Sequence, residues 1–558
     1  MRRVLIILWS VSIGGILIRL FRAGSDIGTY DQDIDTFIYM GSQLLGGKLV
    51  YVDFFDPKLP TVQYLFAPIA LLKSITLHRW LSFAYNIAGS ILIGLSIKNL
   101  FKTDLLLKPK HPNVAIAGAS ILFLLLSQKL IGGLSGQLHT YSNTFLALAF
   151  FFASFAATRK ENQTDLNTSI RKSWKHFTAW TLAGFSTCIA ISIRPNIVFP
   201  CMLTGAFVAS MHFVKYKRIP GKAIVPFLIG CFISVISIFA PYLFIENGFS
   251  IAWHGSIEAP LQWISTNPER NPSFSKALFF IMNASAAGVC GWMLFAAALP
   301  GTWIFSTKQL QSRKQQLNIL PIASVIYIIG LSYSLTQKNL WWHYQLMGVL
   351  PITIFGVIGL ISLDSTGKKS TKRLSAGLVL IFSIIFAYNI LIPEVRGMVN
   401  HRFQDNSSES QKVVVQEYNK VLEFIKSLPE EDRQFTSPAN FRLHWETGIM
   451  ATTVGAHPRW SLHAYDMKKN PTTNILKLAT SDKLACQQLT DKANRYLIFD
   501  ETNSKTATRD LFNKCLLASD DSWLDISQKI GLTTESISVY QRIPNNRKQG
   551  QPNKSKEA

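Results

Sequence analysis

The stretch Asp31–Tyr64 reads DQDIDTFIYMGSQLLGGKLVYVDFFDPKLPTVQY. Five aspartates, Asp31, Asp33, Asp35, Asp53 and Asp56, fall within 26 residues of it, and apolar runs flank it on both sides. The rest of the chain is basic, with a formal charge of +23 and a pI near 9.7. An ordinary connector between apolar segments has no need of so many carboxylates, so this loop is where chemistry is expected.

Outward from the loop, the composition is that of a membrane protein. Of 558 residues, 48% are hydrophobic and only 16% charged, and the mean hydropathy of +0.20 averages two unlike parts. A positive charge this large could mark a nucleic-acid binder, but that needs a soluble basic face. Here the cations cluster between apolar runs, which favours a lipid surface and excludes nucleic acid as partner. A bilayer core takes roughly 20 apolar residues per helix. The stretches that qualify are Val4–Leu20, Leu81–Ile97, Val114–Leu130, Tyr141–Ala157, Phe177–Ile193, Ile197–Val214, Ala223–Ile245, Ala277–Phe305, Leu317–Leu335, Leu346–Leu363 and Leu374–Ile392. The first is read as a retained helix, since no small-x-small cleavage site precedes Phe21-Arg22. The basic segments Met1–Arg3, Lys98–Lys110, Arg159–Lys175, Lys215–Lys222, Lys308–Lys314 and Lys368–Arg373 recur after every second span. Positive loops stay inside, so the N-terminus is expected in the cytoplasm and the C-terminus outside a plasma (inner) membrane crossed many times. The run Thr61–Leu77, broken by Pro68 and Lys73, would spoil that alternation as a span and is read as a juxtamembrane or re-entrant helix in the outer interface.

From about Pro393 the composition turns soluble. Residues 393–549 are expected to form a small extracytoplasmic α/β domain, with a helix over Val413–Lys426 and strands at Arg495–Asp500 and Ser536–Arg542. Residues 550–558 are expected to be a disordered, basic tail. Cys188, Cys201, Cys231 and Cys290 lie in apolar segments, whereas Cys486 and Cys515 are the two cysteines of the domain assigned to an oxidising compartment. They are expected to pair. The fold class is therefore a polytopic α-helical membrane protein of about eleven transmembrane helices, residues 1–392 including the loop at 21–80, with a C-terminal α/β domain.

Within the loop, Asp33, Phe37, Tyr39, Gly41, Gly47, Tyr51, Asp53, Asp56, Lys58 and Pro60 set out the pattern DxxxFxYxGxxxxxGxxxYxDxxDxKxP. It resembles the first extracytoplasmic loop of the GT-C superfamily of integral-membrane glycosyltransferases, which includes the aminoarabinose and protein O-mannosyl transferases. The resemblance implies a sugar donor on a polyprenyl phosphate, a glycan, lipid or protein acceptor, and an aspartate of this loop at the active centre. Asp33 and Asp35, two apart in a segment taken as extended, are expected to face one cleft, Asp33 as base and Asp35 as its neighbour. The bland alternative is a solvated acidic loop.

Lys58 is placed to meet a lipid phosphate, or else to snorkel. Arg194, in AISIRPNIV at outer-membrane depth, is expected to find an anionic partner, and His343, ahead of the tenth span, to donate to phosphate or sugar. Tyr39, Tyr51 and Asp56 complete the expected substrate-binding set, with the alternative that Asp53 and Asp56 pair with Lys58 or Arg79 and only shape the loop. The loop Gly132–Asn143 offers Gln137, His139 and Tyr141 where many relatives carry an acid. No ligand spacing supports a metal, and no cofactor is expected, although oligosaccharyltransferases of the same superfamily use a divalent ion and keep that alternative open. Two rivals stand beside the transferase: a transporter or flippase of lipid-linked glycans, and an O-antigen ligase or polymerase. Nearly charge-free spans with polar outer loops favour the enzyme over the transporter.

Overall fold

A computed structural model describes residues 32–102, 112–127, 137–157, 166–198, 221–261, 346–365, 409–452 and 482–544, apart from a few positions within the last two ranges. It also describes isolated residues among 200–208 and 370–377, and the pairs 468–469 and 476–477. The described residues fall into two compact units. One comprises Ile75–Ala240 with 346–365; the other joins Gly28–Ser74 and Pro241–Ser265 to the C-terminal residues from Asp405. The acid-rich loop therefore belongs to the same unit as the C-terminal residues.

The first unit is helical. It contains α3 (Ile75–Phe101), α4 (Pro112–Leu126), α5 (Leu138–Ala157), α6 (Leu166–Ile193), α7 (Gly221–Phe239) and α9 (Val349–Ser365). Phe123, Phe150, Ile97, Leu350 and Ile354 are buried in one shared core. The backbones of α6 and α7 touch: a Cβ on Gly184 would overlap the Phe227 carbonyl, and one on Gly230 the Thr181 carbonyl. Such small-residue crossings suit helices that gain little from hydrophobic burial against one another. Among the described residues, Leu77–Phe101, Leu138–Ala157, Trp174–Ile193 and Ala223–Phe244 are long and apolar enough to cross a membrane. The expected spans Val4–Leu20, Ala277–Phe305 and Leu317–Leu335 lie outside the described residues, as does most of Ile197–Val214 and Leu374–Ile392.

The second unit opens with α1 (Gln32–Leu45) and α2 (Thr61–Leu72). The expected extended segment is thus a helix, because Ile34, Phe37, Ile38 and Met40 repeat at helical spacing and are all buried. The two aspartates fall in its first turn, where the helix dipole favours them. Gly41 lets α1 lie on the backbone of α2, for a Cβ there would sit 2.5 Å from the Phe66 carbonyl carbon. Helix α2 covers only Thr61–Leu72 of the expected run Thr61–Leu77: it stops at Lys73, which is left-handed with φ 46°, and Ile75–Leu77 already belong to α3. A further short helix, α8 (Gly248–Trp253), runs into a π-turn at His254–Glu258.

The C-terminal residues supply α10 (Glu409–Ser427), α11 (Phe441–Thr447), α12 (Asp482–Leu489) and α13 (Thr506–Leu517). Their strands are β1 (Phe435–Thr436), β2 (Lys468–Lys469), β3 (Leu476–Lys477), β4 (Tyr496–Asp500), β5 (Ser522–Asp525) and β6 (Ile537–Ile543). The order β1-β4-β6-β5 makes a four-stranded sheet in which β1 runs parallel to β4 and the other pairs are antiparallel. Every residue of β4 is buried, as a strand covered on both faces must be. Tyr496 and Ile498 pack toward Tyr418, Val421 and Ile425 of α10. The alternate residues Leu497 and Phe499 pack toward Phe512 and Cys515 of α13. A disulfide joins Cys486 on α12 to Cys515 on α13, and closing that separation of 29 residues stabilises the fold by roughly 3.5 kcal/mol through the unfolded chain.

Candidate active site

In the second unit, the first turn of α1 presents Asp33, half-buried, and Asp35, 6% exposed. Residues two apart on a helix lie about 200° apart around its axis. The two carboxylates therefore do not face one cleft, as an extended segment would have made them. Asp35 Oδ1 accepts a hydrogen bond from the Trp445 indole at 3.3 Å. Its expected place beside the base is corrected to a contact with α11.

Beyond α1 the chain turns through residues 46–60 and builds a platform around Lys58. Asp53 holds the turn by accepting from the Leu49 amide at 2.8 Å and from Lys48 Nζ at 3.5 Å. Gln63, fully buried, donates to the Lys48 carbonyl and accepts from the Val50 amide. Tyr51 takes a left-handed backbone, φ 70°, and its hydroxyl donates to the Lys58 carbonyl at 2.5 Å. Gly255 leaves the space its ring fills. Asp56, with no exposed surface, accepts from the Lys58 amide at 2.9 Å and sits 3.5 Å from Lys58 Nζ. The ammonium also lies 5.3 Å from the centre of the Phe37 ring, so α1 and the turn hold it jointly. Its side chain keeps 16% exposure.

Tyr39, Tyr51 and Asp56 were expected to touch substrate, and burial argues otherwise. Tyr39 is 1% exposed and Tyr51 2%. The Tyr39 hydroxyl accepts from the Ala451 amide at 3.2 Å. Burial pushes both phenols well above the usual tyrosine range, with Tyr242 and Asp56 adding to the effect at Tyr51. Neither phenol loses its proton near neutral pH, and all three residues shape the loop.

In the first unit, the opening turn of α5 is polar and buried, with His139, Tyr141 and Asn143 all at 2% exposure or less. Arg194 Nε donates to His139 Nε2 at 3.3 Å. The Tyr141 hydroxyl lies 3.2 Å from His78 Nδ1, and Asn143 donates to the Leu346 carbonyl at 2.6 Å. Arg194, expected beside an anion, thus has a histidine as a neighbour. The place of His78 one turn into α3 beside Tyr141 depends on the tertiary pairing of α3 with α5, for which local sequence carries no signal. His343 lies outside the described residues. Among the described residues, no three His, Cys, Asp or Glu side chains gather as a metal would require.

The apolar helical unit, and the unit that combines the acid-bearing helix with a small sheet, together have a fold similar to that of solved membrane-enzyme structures. Among the solved structures it is similar to are two of ArnT from Cupriavidus metallidurans. The form bound to undecaprenyl phosphate matches at 10% identity over 97% of this chain and 98% of that one, with a TM-score of 0.52. The apo form matches at 11% over 96% and 97%, with a TM-score of 0.50. At this identity the likeness is one of fold. No family model and no curated protein sequence matches the chain.

Proposed function

We propose that the protein is a membrane glycosyltransferase that moves a sugar from a polyprenyl-phosphate carrier to an acceptor hydroxyl at the extracytoplasmic face of the plasma membrane. The observation that carries this reading is the likeness of fold, over 97% of the chain, to a structure that holds undecaprenyl phosphate.

In the proposed reaction the acceptor oxygen attacks the anomeric carbon from the side opposite the phosphate, so the centre inverts. Asp33 takes the hydroxyl proton as the new bond forms. The bond from the anomeric carbon to the phosphate oxygen breaks, and polyprenyl monophosphate leaves with the electron pair. Lys58 meets its charge as a compact ammonium held ready by Asp56 and Phe37. Arg194, and His343 from its place in the sequence, are the further proposed donor-phosphate contacts. Cations suffice for a departing monophosphate, and no metal is assigned a step.

The test is release of polyprenyl phosphate from a donor carrying labelled sugar by the purified full-length chain. Asp33→Asn keeps the shape of the side chain and removes the proton acceptor, so turnover should fall about 100-fold or more with donor affinity little changed. A folded Asp33→Asn protein with normal turnover would refute the assignment of the base. Passage of intact donor across a vesicle membrane without cleavage would make the protein a transporter.

A further inference from the structure

Asp35 and Tyr39 lie one turn apart on α1 and so share a face. Both are held by one stretch of the C-terminal part. The Trp445 indole donates to Asp35 Oδ1 at 3.3 Å, and the Ala451 amide donates to the Tyr39 hydroxyl at 3.2 Å. The Tyr39 ring rests on Phe441 and His444, with centroids 5.0 and 5.8 Å away. Trp445 is among the largest fully enclosed side chains, 2% exposed.

A charged network stands behind this contact. Arg442 Nε donates to Glu446 Oε1 at 2.6 Å, and the guanidinium lies 5.1 Å from the centre of the Tyr418 ring. The Tyr418 hydroxyl donates to Glu446 Oε2 at 3.1 Å. Burial alone would lower the basicity of Arg442; the neighbouring Tyr418, Glu446 and Asp35 reverse this and raise it. The Asp35 carboxylate therefore belongs electrostatically to α11 and, through Tyr418, to α10. On its other side α1 is fixed by Gly41 against Phe66.

Helix α1 also carries Asp33, two residues before Asp35. A carboxylate stands about 6 Å from a helix axis, so turning α1 by about 10° displaces it by about 1 Å. A misplacement of that size costs up to about 100-fold in rate when reacting atoms must be aligned. The contact of α11 with α1 is thus a lever on the proposed base.

We propose that residues 441–451 position the acid-bearing helix. Trp445 and Arg442 are positioning residues that set the angle at which α1 presents Asp33, and Asp35 is the handle they hold. This rests on the reading of Asp33 as base, and it gives the C-terminal part a task in catalysis without contact with substrate.

The experiment uses the full chain in nanodiscs with two readouts: turnover of labelled polyprenyl-phosphate sugar, and amide hydrogen exchange. Trp445→Phe keeps the ring and removes the indole N–H. It should lower kcat about tenfold, leave the donor KM within about twofold, and speed exchange over residues 33–41 about tenfold, with α10 and β4 unchanged. Asp35→Leu should behave alike, and Asp35→Asn, which still accepts the indole hydrogen bond, should recover most of the loss. Unchanged exchange over 33–41 in Trp445→Phe overturns the proposal, whether or not any donor is cleaved. Faster exchange spread through α10 and β4 reduces Trp445 to a fold-stabilising residue and overturns it as well. If Asp35→Asn is as inactive as Asp33→Asn, Asp35 is a reacting group and not a handle. A wild-type chain that cleaves no donor defeats the functional reading, and the exchange comparison still decides whether α11 positions α1.

Discussion

Lys58 and Asp56 show how one side chain can serve both fold and chemistry, and how to separate the two. Asp56 is fully enclosed, and its Oδ2 has no hydrogen-bond partner among the described residues, so the ammonium 3.5 Å from Oδ1 is its main compensation. Removing one member of a buried pair strands the other, at a cost of several kcal/mol. Lys58→Ala should therefore destabilise the folded chain by roughly 2 kcal/mol or more, the partial exposure of Lys58 keeping it below the fully buried case. It should also raise the donor KM. Adding Asp56→Asn should recover the stability and leave the donor defect, in chemical unfolding and donor-titration measurements on the same two variants. Recovery of both would mean that Lys58 only neutralises Asp56. At this scale the sequence singled out Asp33 and Lys58 as candidates, because an acid and a lysine sit in a loop bounded by apolar runs. It did not show the burial of Asp35, Tyr39 and Tyr51, since residue type does not tell a carboxylate aimed at a cleft from one enclosed by a tryptophan 410 positions away, whereas the pairing of Asp56 with Lys58 was one of its two readings.

Elements with a strong period were legible and those built on exceptions were not. Helix α10 and strands β4 and β6 follow from apolar spacing and fall within a residue or two of the expected bounds at most ends. Helix α1 was taken as extended because acids crowd its start, and α11, seven residues long, is too short to carry a period. Yet α11 contains a pH-sensitive joint. The ring of His444 is fully buried; its Nε2 accepts from the Ser437 amide at 3.0 Å, and its Nδ1 lies 2.9 Å from the Ile449 carbonyl. An amide can only donate and a carbonyl only accept, so these contacts fit the neutral ring protonated on Nδ1. Burial lowers the His444 pKa to about 4. The unfolded chain then takes up the proton first as pH falls. The contribution is complete above about 6.5 and is lost between there and about 4, amounting to roughly 3 kcal/mol. Amide exchange over residues 435–449, corrected for intrinsic rates, should quicken from pH 7 to pH 4.5, and this dependence should be absent from His444→Gln. Gly41 governs the other side of α1. Gly41→Ala places a methyl against the Phe66 carbonyl and should cost about 1–3 kcal/mol in thermal or chemical unfolding.

For the molecule as a whole, hydropathy revealed the long apolar helices α3, α5, α6 and α7, because about 20 apolar residues in a row are visible without any partner. It did not reveal that residues 32–74 pack with residues beyond 405, for such long-range pairing leaves no trace in local composition. The orientation of the chain in the membrane connects the remaining observations. Six basic segments recur after every second apolar stretch, from Met1–Arg3 to Lys368–Arg373, from which we propose that both of these lie in the cytoplasm and that the chain from residue 393 lies outside. The disulfide between α12 and α13 agrees with that side, because such bonds persist in oxidising compartments. A reporter that works only in the cytoplasm should accordingly be active when fused after Lys369 and silent when fused after Asn406. In intact cells, a thiol reagent that cannot cross the membrane should reach Cys486 and Cys515 only after reduction and unfolding. Cytoplasmic activity at both junctions would remove the last span, put the C-terminal part on the inner face, and separate Asp33 from any donor presented outside.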